Sequence, residues 1–277
     1  MWDDVALYAG FGALAGVVSG LFGVGGGIVI VPFLAWLLPR RGFDDELVML
    51  VAVATSLATI VVTSISAVTA HHRKGAVRWP VVRQFAPGIL LGAAAGTLLA
   101  ERLPVPLFKL LFALFLFIVA ARMYRGARAD RATGSSSPMS RFAASGLIGA
   151  VSAILGIGGG TLSVPYLTRG GIPVHNAVAI SNALGFPLAV AGTISYVLLG
   201  WRRDDIPDPH IGYVYGPAFV GIILTSIAFA PLGAHLAHRL PTRTLRRGFA
   251  LLLAIVGVRL LVQAIRAFAL YPPFWHP

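Results

Sequence analysis

One stretch of this chain occurs twice, and it limits the fold more than any other feature. Residues Gly16–Leu34 read GVVSGLFGVGGGIVIVPFL and Gly149–Leu167 read GAVSAILGIGGGTLSVPYL, identical at ten of nineteen positions. Each copy holds a Gly-x-Gly-Gly-Gly cluster, and a proline follows five residues after the last glycine, at Pro32 and Pro165. Gly and Pro are the strongest helix punctuators. Because both flanks are long and apolar, the clusters read as broken helices at membrane depth. Bare backbone is tolerated there only where it is buried in protein or lines a cavity. Paired interruptions in the two halves of a membrane protein point to a transport site near the bilayer midplane.

Composition supports the membrane setting. The 277 residues are 57% hydrophobic and 12% charged, with mean hydropathy +0.83, where a soluble domain carries about 25% charged residues. The net charge of +12 does not indicate nucleic acid, because the basic residues fall in short clusters between apolar runs, as the positive-inside rule predicts. The absence of cysteine rules out disulfides and thiolate chemistry. The start, Met1-Trp-Asp-Asp4, lacks a positive n-region, so a cleaved signal peptide is not expected.

The expected class is an all-α polytopic integral membrane protein. It is expected to consist of two homologous halves of four hydrophobic elements each. Residues 1–124 form the first repeat, 125–140 a basic cytoplasmic linker, and 141–277 the second repeat. The first half has a glycine-broken element over Tyr8–Leu38, then apolar elements over Leu47–Ala70, Trp79–Ala100 and Leu107–Ala121. The second half repeats that order over Phe142–Leu167, Ala177–Leu199, Gly212–Ala237 and Gly248–Leu261. The similarity extends past the glycines: Gly96–Arg122 and Gly233–Arg259 share a Leu-Pro loop and a Phe-Ala-Leu run.

Counting Lys and Arg sets the orientation. If each glycine element crosses the membrane, the halves are parallel and the basic residues divide twelve against ten. If each is re-entrant, the halves are inverted and the count becomes fourteen against eight. The positive-inside rule favours inverted repeats with a re-entrant first element.

All ten acidic residues lie outside the apolar runs. A cation pump or sodium symporter usually keeps a carboxylate inside the membrane, and no catalytic constellation is visible, so neither an enzyme nor a metal site is expected. No cofactor is expected either. The interior offers glycine backbone, hydroxyls and one amide, and neutral donors with helix N-termini suit an anion. The half-helices starting at Ile28 and Thr161 aim their free N–H groups at the breaks. The candidate substrate-binding residues are Gly23, Gly25, Gly26, Gly27, Thr55 and Ser56 in the first half, and Gly156, Gly158, Gly159, Gly160, Ser181 and Asn182 in the second. Glycine clusters also let helices pack closely, and that reading stands beside the site reading. The stripe Thr55, Thr59, Thr63 and Ser66 on one helix face fits interhelical bonding as well as substrate lining. Histidines 71, 72, 235 and 238 fall at span ends, and Arg122 and Arg259 at matched ends of each half's last element, where snorkelling is the expected role.

These residues resemble the sulfite exporter TauE/SafE family of probable membrane transporters. The resemblance rests on the two glycine–proline elements at Gly23–Pro32 and Gly156–Pro165. It also rests on the segments Ala54–Ser56 and Ile180–Asn182, and on the paired loops Leu103-Pro104 and Leu240-Pro241. It implies a multi-pass inner-membrane transporter, several of whose relatives export sulfite, sulfonates or related sulfur oxyanions. The expected partners are a small anionic substrate and the lipid bilayer, with a homodimer as a further possibility and no nucleic acid. The competing role from another class is a non-transport assembly or scaffold subunit, which would move no solute on its own.

Overall fold

The computed structural model describes residues 2–22, 26–125, 138–239 and 242–270. Gly23, Gly25 and residues 126–137 of the expected linker lie outside them. Ten α-helices make up the described fold. The first half contains α1 (Trp2–Phe22), α2 (Gly27–Leu37), α3 (Asp45–Arg73), α4 (Trp79–Glu101) and α5 (Val105–Arg125). The second contains α6 (Pro138–Ile154), α7 (Gly160–Arg169), α8 (Val174–Leu199), α9 (Gly216–Arg239) and α10 (Thr242–Leu270). A two-stranded antiparallel ribbon, β1 (His210–Ile211) and β2 (Val214–Tyr215), precedes α9. By length and composition, α3, α4, α5, α8 and the Arg247–Phe268 part of α10 can each cross a membrane.

The longest helices are framed by charge. In α3, Asp45 and Glu46 occupy the first turn and His71, His72 and Arg73 the last, the arrangement that complements a helix dipole. Between them, residues 47–60 are buried without interruption, so α3 is a central helix. Outer helices instead turn Leu91, Leu98, Ile118, Leu147, Leu224 and Leu251 outward, as a lipid-facing surface requires.

Small residues set which helices pair. A Cβ at Gly88, Gly92 or Gly96 of α4 would fall 2.0–2.4 Å from Ser145, Gly146 or Ala150 of α6. The numbers rise together, so α4 and α6 run parallel in backbone-to-backbone contact. Between α1 and α9 the same device recurs, with Gly12 against Ile222 and Thr225, Gly16 against Ser226, and Gly221 against Tyr8. In the absence of a hydrophobic drive between helices in lipid, such close approach is what holds them together.

The other large pairings run the opposite way. Asn176 at the start of α8 donates to the Ala76 carbonyl just past α3, at 2.8 Å, while Gly192 further along α8 packs on Leu57. Helices α3 and α8 are therefore antiparallel. The contacts Arg247 with Tyr124 and Gly257 with Phe117 make α5 and α10 antiparallel too. Helix α2 folds back along α1, since Phe33 stacks on Phe11 at 3.6 Å and meets Tyr8 edge-on at 6.4 Å.

Two elements differ from the sequence expectation. The stretch before α9 was expected to be loop and then helix from Gly212, but it carries the ribbon. The last helix runs on to Leu270, so Arg259 sits within it rather than at its end. The sequence places the element's end at Leu261, before Gln263 and Arg266, but Arg and Gln are good helix formers and do not end the helix.

Candidate functional site

The two glycine breaks meet between α3 and α8. A Cβ on Gly27 would lie 2.4 Å from the Gly156 carbonyl and 3.0 Å from Ser56 Oγ. Gly156 has φ +62, and its own Cβ would strike Val31 and Val53 at 2.9 Å. Both positions require glycine. The Ser56 hydroxyl closes the junction by donating to the Gly156 carbonyl at 2.7 Å. Gly26 has φ +65 and caps α2, its carbonyl accepting from the Val29 and Ile30 N–H groups at 2.9 and 3.1 Å.

Beside the second break lies a cavity of about 30 Å³. Its walls include Gly158, Gly159 and Gly160, Ser181 and Asn182 of α8, and Thr63 of α3. Ser19, Ser64 and Gly185 complete its polar and small-residue lining, and no lining residue is charged. The α3 residues on it, Ile60, Thr63, Ser64 and Ala67, climb from the break toward the end of α3 that bears His71–Arg73. The volume suits about one water-sized group in this conformation.

Helix α7 starts at this cavity. Its cap carbonyl, Gly159, accepts from Ser163 N–H at 2.8 Å and Leu162 N–H at 3.3 Å. The N–H groups of Gly160 and Thr161 have no carbonyl four residues back within the helix. Around them, the hydroxyls of Thr161, Ser163 and Ser181 are buried without a hydrogen-bond partner, Ser163 and Ser181 each 1% exposed. Unpaired buried hydroxyls cost about 1–3 kcal/mol each, so several around one free helix terminus make a site that gains by receiving an acceptor.

The sequence candidates thus divide. Gly158, Gly159, Gly160, Ser181 and Asn182 share the cavity. Gly26, Gly27, Gly156 and Ser56 lie at the junction of the two breaks, outside its walls. Thr55 is wholly buried, and its Oγ1 accepts the Tyr215 N–H at 3.0 Å. Of the hydroxyl stripe, Thr59 and Thr63 donate to carbonyls within α3, and Ser66 is exposed. Thr161 and Ser163 were not among the candidates. The signal for them was present: aligning the duplicates puts Thr161 and Ser163 where the first copy has Ile28 and Ile30.

On the opposite side of the breaks, the ribbon seats over α3. Tyr215 meets Phe43 edge-on at 5.0 Å and Tyr8 at 6.4 Å. The Tyr213 hydroxyl donates to Glu101 at 3.1 Å, and the Arg203 guanidinium carbon lies 6.0 Å from the Tyr213 ring centre. Burial pushes the Tyr213 phenol above its ordinary pKa; Arg203 opposes that shift and Glu101 adds to it.

Known proteins are similar to this chain over nearly its full length. The family model described as sulfite exporter TauE/SafE matches residues 8–260. A probable membrane transporter protein of Haemophilus influenzae is 39% identical, covering 95% of this chain and 100% of the relative. One of Xylella fastidiosa is 30% identical over 90% and 92% of the two chains. One of Methanocaldococcus jannaschii is 26% identical over 91% and 93%. No solved structure matches.

Proposed function

The chain belongs to the sulfite exporter TauE/SafE family, and from that membership we propose that it exports small oxyanions through the cavity beside its second glycine break. The family makes it a multi-pass membrane transporter rather than an enzyme. An inner-membrane location is consistent with its bacterial relatives. Sulfite, a sulfonate or a related sulfur oxyanion is the substrate class we propose. The observation that carries the reading is Ser181, whose buried hydroxyl stands unpartnered on the cavity that the N-terminus of α7 faces. Free N–H groups and the positive end of a helix dipole favour negative charge. Hydroxyls can donate to several oxygens of one oxyanion. With an inside-negative potential, anion exit is favoured by about 2.3 kcal/mol per charge per 100 mV, so efflux needs no intramembrane carboxylate.

We also infer that the halves are inverted repeats, each opening with a re-entrant pair, α1–α2 and α6–α7. Three observations support it. Helices α3 and α8 are antiparallel, as are α5 and α10. The pairing α1 with α9 is exchanged for α6 with α4. Helix α2 folds back on α1. On this reading the cavity faces the basic, cytoplasmic side, and the seated ribbon seals the other. Alternating access then consists of releasing Tyr215 from Thr55 while the breaks part at Ser56.

The test is anion flux in liposomes holding the purified protein. Sulfite, a sulfonate, thiosulfate and a carboxylate are offered in turn. Ser181→Ala should slow flux of the favoured anion while leaving insertion unchanged. No flux of any of them, or flux indifferent to Ser181→Ala, overturns the proposal. Topology is read separately with single cysteines, since the natural chain has none. Lys74→Cys and Arg169→Cys should label from one side and Arg202→Cys from the other. Labelling of Lys74→Cys together with Arg202→Cys, with Arg169→Cys on the other side, would mean parallel halves.

A further inference from the structure

A second, larger cleft lies on the far side of α2 from the cavity described above. It has a volume of about 240 Å³ and runs between α1, α2 and α10. Its inner end is apolar, lined by Ile28 and Val29 of α2 and Leu252 and Leu253 of α10. Its outer end is polar, with Trp36, Arg259 and Gln263. Arg40 extends that end: its guanidinium stacks 4.2 Å from the Trp36 ring centre and donates to the Trp36 carbonyl at 2.5 Å. The Arg259 guanidinium lies 5.9 Å from the same ring. Two cations thus share one indole, and among the described residues neither pairs with a carboxylate. Arg259 is exposed on a membrane-spanning stretch, and Arg266 continues its face of α10 two turns on.

We propose that this cleft binds one anionic glycerophospholipid, its phosphate held between Arg40 and Arg259 and one acyl chain lying inward along α2. The polarity gradient runs the way a lipid does, charged near the membrane surface and apolar toward the middle. Leu14 and Leu252 on its walls are 42% and 40% exposed, so it opens to the bilayer. A charged side chain within a span is costly unless paired, and a phosphodiester supplies the missing charge with acceptors that suit a guanidinium.

The probe is phosphatidylglycerol with brominated chains, diluted into phosphatidylcholine vesicles carrying the full-length protein. Bromine quenches tryptophan at contact, and subtracting Trp36→Phe isolates the Trp36 signal. Brominated phosphatidylglycerol should quench Trp36 at far lower mole fraction than brominated phosphatidylcholine. The preference should fall about tenfold in Arg259→Gln or Arg40→Gln, the loss expected for a hydrogen bond to a charged partner. Arg259→Lys should restore most of it, which a folding defect would not do. Inorganic phosphate should not compete, since it lacks the chains. Equal quenching by the two lipids, a preference that survives Arg259→Gln, or competition by phosphate each overturns the proposal. So does Trp36 shielded from both lipids, which would mean that a second copy covers the face.

Discussion

The two glycine breaks lie in stretches identical at ten of nineteen positions, yet the structure uses them differently. The first copy packs. Gly27 presses on the Gly156 carbonyl, the following turn is Ile28 and Val29, and the aligned α3 pair, Thr55 and Ser56, is committed to the Tyr215 N–H and the Gly156 carbonyl. The second copy leaves groups free. Gly158–Gly160 line a cavity, the following turn holds Thr161 and Ser163, and the aligned pair is Ser181 and Asn182, with Ser181 unpartnered. Symmetry supplies the frame, two broken helices meeting between antiparallel α3 and α8. The site proposed above comes from the difference between them, with Thr161 and Ser163 where the first copy has Ile28 and Ile30.

The largest effect should separate a packing glycine from a site glycine. Gly27→Ala forces a Cβ against backbone, and overpacking typically costs about 1–3 kcal/mol, occasionally more. Its melting temperature should drop sharply. At Gly159 a Cβ would meet Ser163 Oγ at 3.3 Å, and Leu188 and the Ser181 carbonyl each at 3.9 Å, with ordinary helical φ of −53. Gly159→Ala should therefore melt near the wild type but transport poorly, because the added methyl fills the cavity edge. If the two variants lose stability equally, the breaks are equivalent and the contrast is wrong.

Next come the hydroxyls. Ser181→Ala and Ser163→Ala should each weaken anion binding about ten- to a hundredfold, as expected for losing a hydrogen bond to a charged partner. Neither should lower the melting temperature of the anion-free protein, because each removes a buried group with no partner. Ser56→Ala should show the opposite pattern. It leaves the Gly156 carbonyl without the hydroxyl that now donates to it, costing about 1–3 kcal/mol in stability with anion affinity little changed. Titrating anion and melting all three purified variants decides which copy holds the site.

The sequence carried the frame further than the detail. The all-α membrane class followed from apolar runs too long and too uncharged for a soluble domain, and the family from the paired glycine–proline elements at Gly23–Pro32 and Gly156–Pro165. Helix ends inside apolar sequence were harder to place. Arg259 looked like a terminus because a charge usually ends a hydrophobic run, yet α10 continues to Leu270. The ribbon was missed because its four residues, His210, Ile211, Val214 and Tyr215, are too few to show a period of two. Thr55 and Ser56 were grouped with Ser181 and Asn182 because alignment matches positions. Which hydroxyls stay free depends on partners far along the chain, 160 residues away for Tyr215 and 100 for Gly156.

The smallest effect concerns the ribbon that engages the packing copy through Thr55. Tyr213 anchors it by donating to Glu101 at 3.1 Å, so the neutral phenol is the form the fold holds. Burial is the main cause of its raised pKa, with Arg203 opposing and Glu101 reinforcing. An acid whose folded pKa is raised contributes stability that is fully present below the unfolded value, about 10 for tyrosine, and lost as pH rises through the folded one. Alkaline melting curves should therefore fall more steeply above about pH 10 in the wild type than in Tyr213→Phe. Below that pH the variant should be slightly less stable, by about 0.5–1.5 kcal/mol for the hydrogen bond. The difference between the two proteins cancels the other lysines and tyrosines that titrate in the same range. If the curves stay parallel through that range, Tyr213 does not anchor the ribbon as a neutral donor. The seal over the first copy would then rest on Tyr215 and Thr55 alone.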